Sequence, residues 1–135
     1  RVPFIARWPG SVPAKKINHH ISGFQDMFPT LLELAQIELE HEVDGISMVP
    51  TLLGKKGQRK HDYLYWEFGE RGGATAVLKG DWKGVSRNKR KNLNGPIELY
   101  NLKNDLAETT NLAENQKALV AEFNAVLKRE HVSQE

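Results

Sequence analysis

The sequence predicts an α/β chain, an α+β fragment in which a four-stranded antiparallel sheet packed by a C-terminal helix follows one isolated strand and one isolated helix. Three observations predict it. Alternating polar and apolar residues recur in "DYLYWEF", "ATAVLKGDWKGVSR" and "PIELYNL". Apolar residues fall at helical spacing at Leu119, Val120, Phe123, Val126 and Leu127. The first third holds a single strand-like run, "RVPFIARWPG", and one strand cannot make a sheet.

In order along the chain, Val2 to Arg7 reads as a short buried strand closed by Trp8-Pro9-Gly10, which is turn chemistry. A chain that opens in strand character, with no initiator Met or signal peptide, predicts that the preceding part of a larger protein has been removed. Residues 11–18 form a loop. Phe24, Met27, Phe28, Leu31, Leu34 and Ala35 then make the apolar face of a helix. Its start is ambiguous. Ser22 with Gln25 has capping-box spacing, but Pro29 would then sit deep enough to cost about 3 kcal/mol. Asp26 as N-cap leaves Pro29 in the first turn, and a 3₁₀ opening turn reconciles the two. An acidic connector over 38–44 leads to "DGISMVPTLLG", a loop with a short helical turn. The organisation expected is a large-domain remnant at 1–53, a basic linker "GKKGQRK" at 54–60, and a sheet-plus-helix subdomain at 61–135.

Within the subdomain, Gly80-Asp81 fits a type II′ hairpin with Gly at the first turn position. The stretch "ELYNLKNDLAETTNLAEN" at 98–115 is a strand, a turn at Asn104-Asp105, and an entry to the last helix. There Asn111 and Glu114 stand in capping-box spacing. The last helix runs from about Gln116 to His131.

The bulk numbers exclude several classes. The 135 residues suit one domain. Their 39% hydrophobic and 27% charged content is a folded balance, and a net charge of +2 implies no strong nucleic-acid or membrane field. There is no Cys, so no disulfide and no thiolate metal site. Apolar runs are too short to span a bilayer. The five His residues show no metal-ligand spacing. Glu67 with Glu70, and Glu38, Glu40 and Glu42, lack the partners that would fix an acid/base pair. The basic run "RNKRK" at 87–91 stands without interleaved aromatics and reads as a solvated hairpin loop. Trp66 and Trp82 read first as sheet core and second as sugar-stacking residues. Glu70-Arg71-Gly72-Gly73 reads first as a flexible turn and second as a binding loop.

The ordered set "RVPFIARWPG", "FQDMFPTLLELAQI", "DGISMVPTLLGK", "HDYLYWEF", "VLKGDWKGV" and "ELYNLKNDLAETTNLAEN" resembles the C-terminal end of type I sulfatases, most closely the bacterial polysaccharide-degrading members. The resemblance covers nearly the whole chain. It implies the C-terminal end of an alkaline-phosphatase-like fold and a place in a sulfuric ester hydrolase. Arg1 and Pro3 match the family's G-G-x-R-x-P edge, which implies a structural role. It also implies that Asp105, Glu108 and Asn111 serve turns and caps, with Leu106 standing where a Pro is common. The family's formylglycine forms from a C/S-x-P-S/A-R motif, and no such motif occurs here. Calcium and formylglycine are therefore implied for the parent enzyme only, and no catalytic or metal residue is assigned to this chain. His20, Trp66, Glu70 and Arg71 are the candidates for a substrate-pocket wall. The implied partners are the remainder of the sulfatase chain and, through it, a sulfated carbohydrate or aryl sulfate. No nucleic acid or membrane partner is expected, and the orphan strand makes self-association an expectation. A periplasmic or extracellular parent is implied. The alternative function is a stand-alone carbohydrate- or protein-binding module.

Overall fold

A computed structural model of the chain describes residues 2–70, 72–87 and 95–131. The chain divides into two compact units, Arg1–His61 and Asp62–Glu135.

The first unit is built on α1, Met27–Leu34, which a 3₁₀ turn at Phe24–Asp26 opens. Asp26 is its N-cap residue and Pro29 falls in the first turn, where its missing N–H costs nothing. The 3₁₀ turn reconciles the two starts the sequence offered. A left-handed Gln36, φ 59°, ends the helix. The Gln36 N–H donates to the Glu33 carbonyl at 3.1 Å and the Ile37 N–H to the Leu32 carbonyl at 3.0 Å, a Schellman closure without glycine. A second short helix, α2, spans Val49–Leu52 with Pro50 in its opening turn.

One expectation for this unit is corrected. Residues 2–7 join no strand ladder, and all of them are exposed. A strand exists only by hydrogen-bonding to a neighbour, and none is among the described residues. The apolar face of α1 is also turned outward. Phe24 is 91% exposed, and Phe28 and Leu31 are likewise exposed, while Asp26, Pro29 and Thr30 are buried. Helical periodicity identifies an apolar face but not whether anything covers it.

The second unit is an antiparallel meander in the order β1-β2-β3-β4. Its strands are β1, Leu64–Phe68; β2, Ala74–Lys79; β3, Trp82–Arg87; and β4, Ile97–Asn101. Helix α3, Lys117–Glu130, packs on one face. This is the predicted fold class. Alternation puts Val77, Ile97 and Leu99 on the helix side, where they meet Phe123, Val126 and Leu127 in one core. Gly84 pairs with both Val77 and Leu99, so it lies at the centre of that face. A Cβ there would come within 2.5 Å of Phe123 Cδ1, so the residue must be glycine for the ring to seat. At the β2–β3 hairpin, Gly80 has φ 57° and Asp81 is not left-handed, as a type II′ turn requires.

The stretch at 98–115 closes one edge of this sheet. Asn111 Oδ1 accepts the Leu99 N–H at 3.0 Å, and the Leu112 N–H donates to the Leu99 carbonyl at 2.8 Å. Residues 111–112 thus satisfy β4 groups that would otherwise form an open ladder. Asn111 does not cap α3, as its spacing suggested; Gln116 holds that position. The Asp105 carboxylate accepts the Thr110 N–H at 2.8 Å and the Thr109 N–H at 2.9 Å. Those backbone donors, Thr110 first and Thr109 next, hold the Asp105 carboxyl below its usual range. Glu108, left-handed at φ 57°, pairs with Lys83 at 2.6 Å. All three residues serve turns and edges, as the resemblance implied. Of the basic run, Arg87 ends β3 and pairs with Glu98 at 3.0 Å, while residues 88–91 lie outside the described residues.

Because Phe123 seats directly on Gly84, Gly84→Ala is expected to destabilise the second unit by about 1–3 kcal/mol. Urea unfolding followed by far-UV circular dichroism measures this, and adding Phe123→Leu should recover part of the loss.

Candidate functional site

The most interconnected polar centre of the first unit surrounds the Asp26 carboxylate, which is fully buried. Asp26 Oδ2 accepts the Gly23 N–H at 2.8 Å and Oδ1 accepts the Ile46 N–H at 2.7 Å. His61 Nε2 lies 2.7 Å from the same Oδ1. One turn on, Thr30 Oγ1 donates to the Asp26 carbonyl at 2.5 Å and accepts the Met48 N–H at 2.8 Å. Gly45 makes the approach possible, since a Cβ there would stand 2.1 Å from the Gln25 carbonyl oxygen. The D-x-x-P-T and D-G-x-S motifs therefore interlock. Asp26 and Thr30 of the first hold the backbone of the second, and Gly45 lets the two meet.

His20 stands beside this centre. Partial burial lowers its pKa below the usual histidine value, the Asp26 charge opposes that, and His61 and Lys60 reinforce it. The other candidates belong to the second unit. Trp66 is in β1 and 40% exposed. Glu70 is exposed in the turn after β1, where its carbonyl accepts the Gly73 N–H at 2.9 Å and Gly72 and Gly73 are left-handed at φ 91° and 79°. Arg71 lies outside the described residues.

Glu67 is committed elsewhere. Its Oε2 accepts the Tyr65 hydroxyl at 2.6 Å, and His131 Nδ1 lies 2.9 Å from its Oε1. Burial, followed by the Glu67 hydrogen bond, raises the Tyr65 pKa. Nearby, the Tyr63 hydroxyl donates to Glu130 at 2.8 Å, and the Arg129 guanidinium sits 5.3 Å from the Tyr63 ring centre. These contacts tie the end of α3 to β1.

The Asp26–His61 pair is the feature that sequence reasoning missed. The separation of 35 positions hid it, and the one signal was a His directly after a linker of solvated cations.

Neither group implied for the parent enzyme fits the residues present. Among the described residues no three His, Cys, Asp or Glu side chains are placed to hold a metal ion. The nearest approach to the formylglycine motif is Ser11-Val12-Pro13-Ala14-Lys15, with Lys where Arg is required. It lies in an exposed turn whose Ser11 N–H donates to the Trp8 carbonyl at 3.0 Å.

Residues 1–134 match the family model for N-sulphoglucosamine sulphohydrolase, C-terminal. The chain belongs to this family of sulfatase C-terminal regions. It is 34% identical over 131 residues to the Delta 4,5-hexuronate-2-O-sulfatase of Bacteroides thetaiotaomicron, covering 93% of this chain and 27% of that protein. Against the canine N-acetylgalactosamine-6-sulfatase, identity is 33% over 85 residues, covering 62% of this chain and 16% of the relative. Among solved structures, Ps i-CgsB superposes with a TM-score of 0.75 at 26% identity, covering 90% of this chain and 27% of its own. A 2-O GAG sulfatase gives 0.64 at 32% identity, covering 77% of this chain and 23% of its own. The chain thus spans about a quarter of the length of sulfatases it matches over most of its residues.

Two measurements check this centre. Asp26→Ala strands the Gly23 and Ile46 amides, and each stranded buried donor costs about 1–3 kcal/mol. Amide exchange at Ile46 should accelerate accordingly. A lowered His20 pKa means the fold favours the neutral imidazole. Its contribution is complete above the unfolded value of 6.5 and is lost as pH falls through it. NMR titration should place the His20 midpoint below 6.5, and Asp26→Asn, which removes the opposing charge, should lower it further.

Proposed function

We propose that the protein carrying this chain hydrolyses sulfate esters on a sulfated polysaccharide, and that this region is its C-terminal scaffold and part of its substrate-pocket wall. The carrying observation is the match over residues 1–134 to a sulfatase C-terminal family, joined to an apolar surface that the first unit leaves uncovered. Val2, Ile5, Ile17 and Phe24 are each more than 85% exposed. A surface of that kind marks an interface. In the relatives, the sequence N-terminal to the matched region is the partner available to cover it.

The substrate class follows from the company the chain keeps. Its relatives include a hexuronate-2-O-sulfatase and an ulvan-active sulfatase, and one solved neighbour carries k-i-k-neocarrahexaose. Calcium and the formylglycine nucleophile would reside in the N-terminal portion, since the residues here fit neither. The polar candidates His20, Trp66, Glu70 and Arg71 would touch substrate only as wall, by hydrogen bonding and by stacking of the indole on a sugar face. A stand-alone binding module is the less favoured reading, because the match places this sequence as the C-terminal part of longer sulfatases.

The test compares the full-length sulfatase with the isolated 135-residue chain on an aryl sulfate. Turnover is expected from the full-length protein and none above background from the isolated chain. In the full-length protein, Trp66→Ala should raise KM for a sulfated oligosaccharide several-fold with little change on the small aryl sulfate. Turnover by the isolated chain, or none by the full-length protein, would refute the reading.

A further inference from the structure

A groove of about 420 Å³ opens on the first unit, and nothing in the scaffold role accounts for it. The Trp8 indole forms one wall and Leu34, Val49 and Leu53 line the interior, with Glu33, Gln36 and Lys55 among its polar groups. Trp8 is 47% exposed, so its ring face remains available. The lining is about evenly apolar and polar, Trp8, Leu34, Val49 and Leu53 against Ser11, Glu33, Gln36 and Lys55, which suits an amphipathic ligand better than an apolar one. An exposed indole beside amide and carboxylate groups suits a sugar ring, whose C–H face stacks while its hydroxyls take hydrogen bonds.

Charge selects the kind of sugar. The segment at 54–60 places Lys55, Lys56, Arg59 and Lys60 within seven residues, all exposed, and none is ion-paired to a described residue. This run is held in place. The Gln58 amide accepts the Thr51 N–H at 3.0 Å and donates to the Ser47 carbonyl at 2.9 Å. The Lys55 N–H donates to the Pro50 carbonyl at 2.8 Å, and left-handed Gly54 and Gly57, φ 67° and 88°, supply the reversals. Lys55 is thereby returned to the groove beside Trp8. Glu33 is the one anionic group lining the groove, so a bound sulfate must lie toward Lys55 and leave Glu33 to a hydroxyl.

Within α1, Glu33 lies about 200° round the helix from Leu31, while Leu34, three positions from Leu31, lies beside the Phe24, Phe28 and Leu31 stripe, so the groove borders that surface on its Leu34 side and opens away from it on its Glu33 side.

We infer that the Trp8 groove and the ordered basic segment beside it form an exosite for a sulfated glycan chain, separate from the groups that cleave it. This rests on the polysaccharide-sulfatase reading and adds a second point of substrate contact. Binding through it raises the occupancy of long chains and leaves small substrates unaffected.

The test uses the full-length sulfatase, a sulfated carrageenan hexasaccharide, its desulfated counterpart and a small aryl sulfate. Lys55→Ala with Lys56→Ala should weaken hexasaccharide binding about fivefold or more, with a shallower salt dependence. Trp8→Phe, which retains an aromatic wall, should weaken it less than Trp8→Ala. kcat/KM on the aryl sulfate should not change in any of them. Unchanged hexasaccharide affinity in the double variant, or equal affinity for the desulfated sugar, would overturn the exosite. If the full-length protein cleaves no sulfate ester yet binds the hexasaccharide through Lys55 and Lys56, the exosite stands and the sulfatase reading falls.

Discussion

The first unit depends on one buried carboxylate. Asp26 is fully enclosed, and it is held by two backbone N–H groups and the His61 ring. A buried carboxyl group is tolerable only when hydrogen-bond partners surround it, and here the partners come from three separate segments. That requirement fixes where residues 23, 46 and 61 must lie. The buried hydrophobic residues of this unit are few, chiefly Met48 and Val49 beside Pro29. The polar network therefore sets the conformation, and most large apolar side chains are left facing outward.

The second unit reaches stability by the opposite route. Its core is a continuous apolar cluster between sheet and helix, with Phe123 seated on Gly84. One sheet edge is closed by Asn111 and Leu112. A region organised this way can serve as a rigid wall. The first unit, with its exposed Phe24 and Ile5, is organised to be joined to something else. The two constructions suit a C-terminal region of a longer protein, with apolar surface uncovered on one unit and a closed core in the other.

Much of this was legible in sequence. The 3.6-residue period of Leu119 to Leu127 located α3, and alternation with Gly80-Asp81 located the sheet and its central hairpin. The ordered motifs identified the family. What failed was whatever depended on a distant partner. The α1 stripe was legible as an apolar face, but periodicity does not reveal what covers a face. Asn111 accepts the Ala113 N–H at 3.0 Å where the 3₁₀ turn Ala113–Asn115 opens, in keeping with its cap spacing, but that spacing did not show that the same oxygen also reaches a strand twelve residues earlier. His61 was read only as one of five His without metal-ligand spacing, because its carboxylate partner lies far back in the chain. Among the proposed wall residues, sequence placed Trp66 on a strand and Glu70 in a turn, but polarity alone could not say what they face.

Hydrogen exchange of residues 2–7 and 21–31, in the isolated chain and in a longer protein that carries it, tests the account most directly. If the outward apolar surface is an attachment face, residues 2–7 should exchange freely in a dilute monomer of the isolated chain. They should become strongly protected in the longer protein, and residues 21–31 should gain protection with them. Strong protection of residues 2–7 in the dilute, monomeric isolated chain would contradict it, because the first unit would then complete its own core.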